Sequence, residues 1–440
     1  MNLGDYRNDA IQKKSDRNVA NTQQIPYSPI AFEKGCGALL YDHNGKKYID
    51  FLSSACSANL GHGNKEIAEA VKEQMDNITQ YTFAYFNTLP PILLAEKLCE
   101  LAPGTSEKKV LFSATGSASI DSAIKLARAY TKRKKIISMI GSYHGSTYGS
   151  ISISALSLNM RRHIGPLLPE VYHFKYPNKE TSWEECIADM ELAFSTYLPA
   201  DEVAAIFIEP IAGDMGLVIP PTEWIEALRK ICDENGIILI SDEIQLGLCR
   251  TGKWFCMENY GVEADLYVMG KSVGGGLPLG AVVGKKEIMD SLDAPAHLFT
   301  LAGNTTVCAA ALKNIEILER IDANKVSVEK GEYLASKFNE LRKKYNFIGE
   351  IRPMGLSMGV DIIDPKNGKK DPNATAKICY EAFKRGLILI FLNRSTLRVQ
   401  PPLVIKYEEM DEAIDILDGV MKDFSEGKIS DSILDEIKGW

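Results

Sequence analysis

The sequence predicts an α/β fold in which a large, mostly parallel sheet domain precedes a smaller α+β domain. Three observations carry that prediction. Short β-branched runs alternate with amphipathic helical stretches through most of the chain, the pattern of parallel strands joined by crossover helices. Two of these runs lead into a lone charged residue, Asp242 or Lys271, at the place where open α/β sheets gather ligands. Beyond about residue 310 the texture changes to longer charged helices.

The elements follow in order. "KVLF" from Lys109 reads as a strand, and the stretch after it carries Ile120, Ala123, Ile124, Ala127 and Tyr130 at helical spacing. "KIISMIG" from Lys135 and "AAIFIEPI" from Ala204 are further strands, the second followed by a helix from Thr222 as N-cap to Gly236 as terminator. "IILIS" from Ile237 runs into Asp242, "LYVM" from Leu266 leads to Lys271, and "GAVVG" from Gly280 adds one more strand. Helices from Val326 and Glu408 then flank the strand candidates "GLSMGVDII", from Gly355, and "GLILIFLN", from Gly386. Near the start, "GALLYDHNGKKYIDFLS" reads as a hairpin around Asn44-Gly45. The expected division is an N-terminal segment over 1–60 packing with the small domain, a large domain over 61–310 and a small domain over 311–440.

Length and composition narrow the function. A chain of 440 residues exceeds the roughly 100–200 residues of one domain, so two domains are the default. The net charge of -8 gives no electrostatic footprint for nucleic acid or an anionic membrane, which leaves small molecules or protein partners. No apolar run reaches the ~20 residues of a membrane helix, and the polar start "MNLGDYRNDAIQKKSDRN" lacks a signal peptide's apolar core. The nine cysteines are odd in number and scattered, without metal-ligand spacing. They read as reduced thiols, each a small core residue, in a cytoplasmic protein with no metal.

Four stretches carry candidate chemistry, and each has a plainer reading beside it. In "ATGSAS", Thr115, Gly116 and Ser117 stand between a strand and a helix start, where backbone N–H groups and a hydroxyl can hold a phosphate, or simply form a turn and N-cap. In "GSYHG", Tyr143 and His144 lie between glycines at a strand end; the tyrosine can stack on a planar ligand or be a half-buried loop residue. In "SDEIQLGLCRTG", Asp242 follows an apolar strand and needs a cationic partner, either a protonated cofactor ring nitrogen or an internal arginine. In "YVMGKSVGGGLPLG", Lys271 is either an exposed strand cap or a desolvated amine fit for Schiff-base chemistry. Phosphate cradle, stacking aromatic, carboxylate and amine on one sheet are together the parts that pyridoxal phosphate needs.

With "SDEIQLGLCRTG", "GKSVGGGLPLGAVVG" and "LRVQPPLVI" in hand, the chain resembles the class III (ω-type) aminotransferases, of the aspartate-aminotransferase-like fold (pyridoxal-phosphate fold type I), over nearly its whole length. The resemblance implies that Lys271 holds the cofactor as a Schiff base, Asp242 pairs with its ring nitrogen and Gln245 bonds its ring hydroxyl. It further implies that Gly116 and Ser117 hold the phosphate, helped by Thr300 from the other subunit of a homodimer or larger homo-oligomer, that Tyr143 stacks on the ring, and that the glycines after Lys271 let backbone and neighbouring subunit approach. Arg398 matches the family arginine that binds a substrate carboxylate or pairs with the glutamate of "EPI", here Glu209. Two departures stand out: Ala118 and Ile120 replace the acid and amide usual after the phosphate turn, and Thr305 replaces a proline.

The runs "GSYHGSTYGS", "SLNMRRHIGPLLP" and "SLDAPAHLFT" are more similar to isoleucine 2-epimerase and related amino-acid racemases of this fold than to typical ω-transaminases. The resemblance therefore implies inversion at Cα of a mostly apolar amino acid, through a carbanion delocalised into the cofactor ring. Lys271 would exchange the proton on one face, and Asp214, in "EPIAGDMG", is the candidate second acid/base. The alternatives are an aminotransferase acting between an amino donor and a keto acid, and a cofactor-binding protein without turnover.

Overall fold

The computed structural model describes residues 6–435 apart from 26 and 29. The chain divides into two compact units, one running from residue 66 to 324, the other joining the residues up to 65 with those from 325 onward. The second boundary thus falls after 324 rather than at 310, so the helix Thr305–Arg320 belongs to the large unit.

The large unit is built on seven strands: β1 (Lys108–Ser113), β2 (Lys135–Met139), β3 (Val171–Phe174), β4 (Val203–Ile208), β5 (Ile238–Asp242), β6 (Leu266–Met269) and β7 (Gly280–Lys285). Their order across the sheet is β1-β7-β6-β5-β4-β2-β3, and only β7 runs antiparallel to its neighbours. β4, β5 and β6 are buried at every residue, as a sheet covered on both faces requires, and their runs accordingly lack polar alternation. Four helices matter for the site: α1 (Leu89–Leu101), α2 (Gly116–Thr131), α3 (Thr222–Asn235) and α4 (Thr305–Arg320). α2 sets Ile120, Ala123, Ile124 and Ala127 into one core with Ile136, Phe207, Ile240, Val268 and Val282. Tyr130, which shares their helical spacing, is 43% exposed instead, because it sits in the last turn beyond the core stripe. α3 starts one residue earlier than expected: Pro221 is the N-cap and Thr222 the first helical residue, while Gly236 closes the helix at φ 61°.

Because the strands other than β7 share one direction, the segments after β1, β2, β4, β5 and β6 all emerge at one edge of the sheet. Glu243 fixes part of that edge. Its buried carboxylate accepts the Cys256 N–H at 2.7 Å, the Met257 N–H at 3.0 Å and the Ser241 hydroxyl at 2.9 Å, so the chain after Asp242 is tied down by the residue next to it. Burial raises the Glu243 pKa to about 7.

The small unit holds two four-stranded sheets. In the first, Phe32–Cys36, Leu39–Asp42 and Lys47–Asp50 form an antiparallel meander, with the expected hairpin turn at Asn44-Gly45 and Gly45 at φ 85°. Leu387–Ile388 pairs with Lys47–Asp50 in parallel. In the second, Ile348–Met354, Ser357–Ile362, Thr396–Val399 and Ile390–Leu392 are antiparallel. "GLILIFLN" is therefore not one strand: it breaks at Leu389 and gives each half to a different sheet. The helices Ala323–Lys344 and Tyr407–Ser425 stand where the charged amphipathic stretches indicate. Just after Asp50, the residues Ser53, Ser54, Ala55 and Cys56 have φ of 46°, 51°, 54° and 67°. A left-handed run without glycine costs roughly 1–2 kcal/mol per residue, so the surrounding structure must impose it.

All nine cysteines are free; seven are buried, but Cys36 is exposed and Cys99 half-buried, so not every one is a core residue. Among the described residues no helix is long and apolar enough to cross a membrane.

Glu243→Ala leaves two buried N–H groups and a hydroxyl without their acceptor. Urea unfolding of the cofactor-free protein is expected to show a loss of about 3 kcal/mol, against a fraction of that for an exposed glutamate such as Glu234.

Candidate active site

A cavity of about 190 Å³ opens at the strand-end edge of the large unit, lined by Thr115, Gly116, Ser117, Tyr143, His144, Gly145, Glu209, Ile211, Asp242, Ile244, Gln245, Leu246 and Lys271. Eight of the residues singled out in the sequence as catalytic or cofactor-holding thus meet in one place, although they span 115 to 271.

The start of α2 forms one wall. Thr115 is its N-cap, accepting the Ala118 N–H on its side chain at 3.1 Å, and the plainer reading of this stretch is therefore true as far as Thr115 goes. The N–H groups of Gly116 and Ser117 fall in the first helical turn, which has no intrahelical acceptors, and the helix dipole makes this end attractive to an anion. Ser117 Oγ accepts the Ser146 N–H at 3.1 Å. A Cβ on Gly145, at φ 132°, would come within 2.2 Å of that hydroxyl, so only glycine lets the two loops close. Of the two departures, Ile120 is fully buried in the core, and the Thr305 hydroxyl bonds Thr88 at 3.0 Å.

Lys271 stands on a second wall. Gly270 packs against the start of α2, where a Cβ would be 3.1 Å from Gly116 Cα and 3.3 Å from its nitrogen. That backbone-to-backbone contact brings the lysine beside the helix N-terminus. Lys271 itself has φ 45° and opens a single 3₁₀ turn, Lys271–Gly274, whose Ser272 carbonyl accepts from Asn314 of α4 at 3.0 Å. The glycines that follow serve the backbone: Gly275 and Gly276 have φ of 62° and 94°.

Asp242, the last residue of β5, is 6% exposed. Its partner in the chain is neither an arginine nor a lysine but His144, whose Nδ1 lies 2.7 Å from Oδ2, while Oδ1 accepts the Ile244 N–H at 3.0 Å. A carboxylate only accepts, so the imidazole Nδ1 carries the proton. Nε2 of the same ring lies 3.2 Å from Ser138 Oγ, and both ring nitrogens are engaged. Burial lowers the His144 pKa, but the hydrogen bond and charge of Asp242 outweigh it and leave the imidazole above its ordinary value. Nothing local in the sequence marks this pair, separated by 98 residues.

Glu209, just past β4, accepts the N–H groups of Tyr143 and Gly213, each at 2.8 Å. Burial pushes its pKa up to about 7, His144 pulling it back and Asp242 and Asp214 adding to the rise. The Tyr143 hydroxyl lies 3.0 Å from Ser146 Oγ, and its half-buried ring faces the cavity it lines. Gln245 Oε1 is buried without a hydrogen-bond partner among the described residues. Asp214 is buried on the loop after β4, closed by an antiparallel bridge between Ala212 and Val218, and is not among the lining residues. Thr300 is exposed, its carbonyl accepting from Gln80 at 3.3 Å, and does not line the cavity either. Arg398 lies in the small unit. Ile211, Ile244 and Leu246 complete the wall as apolar residues that sequence patterning does not separate from core.

The family model for class III aminotransferases matches residues 20–421. The chain belongs to the class III aminotransferase family. Among the relatives of this class III chain, a leucine/methionine racemase of Thermococcus litoralis is 40% identical over 99% of the chain and 100% of that protein. An isoleucine 2-epimerase of Lentilactobacillus buchneri is 41% identical over 95% of each. Among solved structures, the taurine:2-oxoglutarate aminotransferase of Bifidobacterium kashiwanohense, in complex with PLP and glutamate, superposes with a TM-score of 0.89 at 29% identity, covering 96% of this chain and 99% of that one. The aspartate-aminotransferase-like fold expected from the motifs is the one observed.

The Glu209 shift has a definite sign. Between pH 4.5 and about 7 the folded protein holds a proton on this group that the unfolded chain has lost, so its contribution to stability falls as pH rises through that window. Glu209→Gln removes this slope. Unfolding free energies of the cofactor-free protein at pH 5 and pH 7.5 are expected to differ less in the variant than in the parent, by up to about 3 kcal/mol.

Proposed function

We propose that the protein is a pyridoxal-phosphate-dependent amino-acid racemase or 2-epimerase that inverts Cα of a mostly apolar amino acid. One observation carries the reading: a lysine amine, a carboxylate backed by a buried histidine and the N-terminus of a long helix converge on a single cavity. The two relatives, one acting as a leucine/methionine racemase and one as an isoleucine 2-epimerase, favour inversion of an apolar amino acid.

The donor set fits pyridoxal phosphate. Gly116 and Ser117 would hold the phosphate on the α2 N-terminus, and Thr300 would serve the phosphate of a second copy in a homodimer. Tyr143 would pack against the ring, Asp242 would meet the ring nitrogen, and the unpartnered Gln245 oxygen would take the ring hydroxyl. Lys271 would supply the amine that holds the cofactor. When bound, the cofactor supplies an electron sink for the pair left at Cα as its proton departs.

The rest is the work of the chain. His144 orients Asp242 through the 2.7 Å hydrogen bond from its Nδ1. Lys271 moves the Cα proton on one face. Asp214, held past β4 on the same edge of the sheet, moves it on the other. Arg398 holds the substrate carboxylate. The free thiols support a cytoplasmic setting. Family membership and the solved aminotransferase support a second reading, transfer of the amino group to a keto acid. The two readings differ in where the departed proton returns.

The holoenzyme is therefore incubated in heavy water with single L-amino acids and no keto acid, then assayed by chiral chromatography and mass spectrometry. The expected product is the D-amino acid or epimer carrying one deuterium at Cα; keto acid and amino transfer to an added acceptor, without inversion, would establish the aminotransferase instead. Lys271→Ala is expected to abolish exchange at Cα, and retained exchange sinks the assignment of that residue. Asp214→Asn should cut inversion by roughly 10²–10⁴-fold while Cα exchange with retention persists, and parallel loss of both would remove Asp214 from the second face.

A further inference from the structure

The hydroxyls behind His144 fix where its hydrogens sit. Ser138, Ser142, His144 and Asp242 are buried, at 0%, 4%, 2% and 6% exposure, so each of their polar atoms needs a hydrogen-bond partner. Ser142 Oγ donates to the Met139 carbonyl at 2.7 Å, and a hydroxyl has only one hydrogen to give. Its 3.2 Å contact with Ser138 Oγ therefore takes the hydrogen from Ser138. That commits Ser138 as well, so across the 3.2 Å to His144 Nε2 the serine oxygen accepts and the imidazole donates. The other nitrogen, Nδ1, already carries a hydrogen toward Asp242. A neutral ring, with Ser138 donating to Nε2, would leave two hydroxyl oxygens facing each other with no hydrogen between them. Counted along the hydroxyls, His144 is an imidazolium.

The groups that face the ring agree with this count. Burial opposes the charge, but Asp242 and Glu209 both favour it, and the imidazole stays above its ordinary value. His173 adds no rival charge, because burial and then Arg161 push its pKa down to about 4. The remaining neighbour in ring contact is the uncharged Phe207, edge to face at 6.1 Å.

We propose that His144, held as an imidazolium by Ser138 and Ser142, offsets the pull of Asp242 on the hydrogen of the cofactor's ring nitrogen and so biases the reaction toward return of a proton to Cα. Oδ2 of Asp242 is spent on this cation and Oδ1 takes the Ile244 N–H at 3.0 Å, so the carboxylate meets the ring with its charge already shared. A ring nitrogen that holds its hydrogen less firmly makes a shallower electron sink, and the pair freed from the Cα–H bond stays nearer Cα. A proton delivered to Cα on the opposite face then completes inversion with no net oxidation. One delivered to the cofactor carbon would instead leave the amino group on the cofactor and, after hydrolysis, release a keto acid. The inference rests on the reading of Asp242 as the partner of the ring nitrogen and goes beyond it by assigning which outcome that partner favours.

Neutron diffraction from holoenzyme crystals grown in heavy water at about pH 8, well above the roughly 6.5 of an ordinary imidazole, reads every hydrogen in this chain. Deuterium is expected on both nitrogens of His144 and on Ser138 Oγ, directed at Ser142. Ser142→Ala takes away the acceptor of Ser138 without touching the cavity lining, so Ser138 is expected to turn and donate to Nε2, which loses its deuterium. In the same variant, keto acid formed per inversion of L-leucine is expected to rise by at least about threefold, a change in where the proton lands that a general loss of rate does not produce. Ser138→Ala removes the Nε2 acceptor outright, should move both readouts the same way, and decides the matter if Ser142→Ala does not fold. A single deuterium on His144 in the parent, or an unchanged product ratio once the ring is neutral, overturns the inference. Asp242→Asn separates the causes. If it leaves the absorbance band of the bound cofactor unchanged, Asp242 does not meet the ring nitrogen and the inference falls with that assignment; if the band shifts while the serine variants keep the parent's product ratio, only the role of His144 fails. A parent that inverts nothing overturns the racemase reading and this inference with it.

Discussion

The hydrogen bond between His144 and Asp242 is the constraint around which the large unit is organised. A carboxylate at the end of an all-apolar strand in the middle of a covered sheet is costly unless a charged or donating group meets it. The chain supplies that group from the segment after β2, two strands away across β4, and this requires the edge of the sheet to be closed at that point. The neighbouring contacts answer the same need. Ser138 and Ser154 steady the histidine segment, the latter by accepting the His144 N–H at 2.9 Å, and Glu243 anchors the chain beyond Asp242. With the carboxylate fixed from inside the protein, its remaining face is free to meet a cation from the cavity.

Close backbone approach is the second device. Gly270 against Gly116, and Gly145 against Ser117, draw three loops from different strands to within van der Waals contact. A methyl group at either glycine would force backbone apart, because the atoms met are main chain or a hydroxyl already bonded. The lysine turn then follows from this geometry. Lys271 takes a left-handed φ that glycine would adopt at no cost, which means that its side chain, not its backbone, determines the choice at that position.

Much of this is legible in the sequence, and the rest has identifiable reasons for being hidden. The parallel strands are plain because burial on both faces makes them uninterrupted apolar runs, as in "AAIFIEPI". Asp242 and Lys271 stand out because each breaks such a run with a charge. The small unit is harder: Ile348–Met354 and Thr396–Val399 contain Arg352, Pro353 and Arg398, so their alternation is broken, and "GLILIFLN" looks like one strand because nothing in its run of six apolar residues shows that its halves pair with different partners. The His144–Asp242 and Ser53–Gln400 contacts are invisible for a different reason. They join residues far apart in the chain, and spacing records nothing of them until the sheet order is known.

A hydrophobic pocket discriminates one methylene by only about 1–3 kcal/mol, so apolar wall residues such as Ile211 and Leu246 set a class of substrate rather than one member. A carboxylate, in contrast, is recognised by angle, and a guanidinium can enforce an angle only if its own rotation is prevented. Latitude over an apolar side chain is compatible with inversion at Cα, because the proton must return to the opposite face of a carbon whose remaining substituents have not moved.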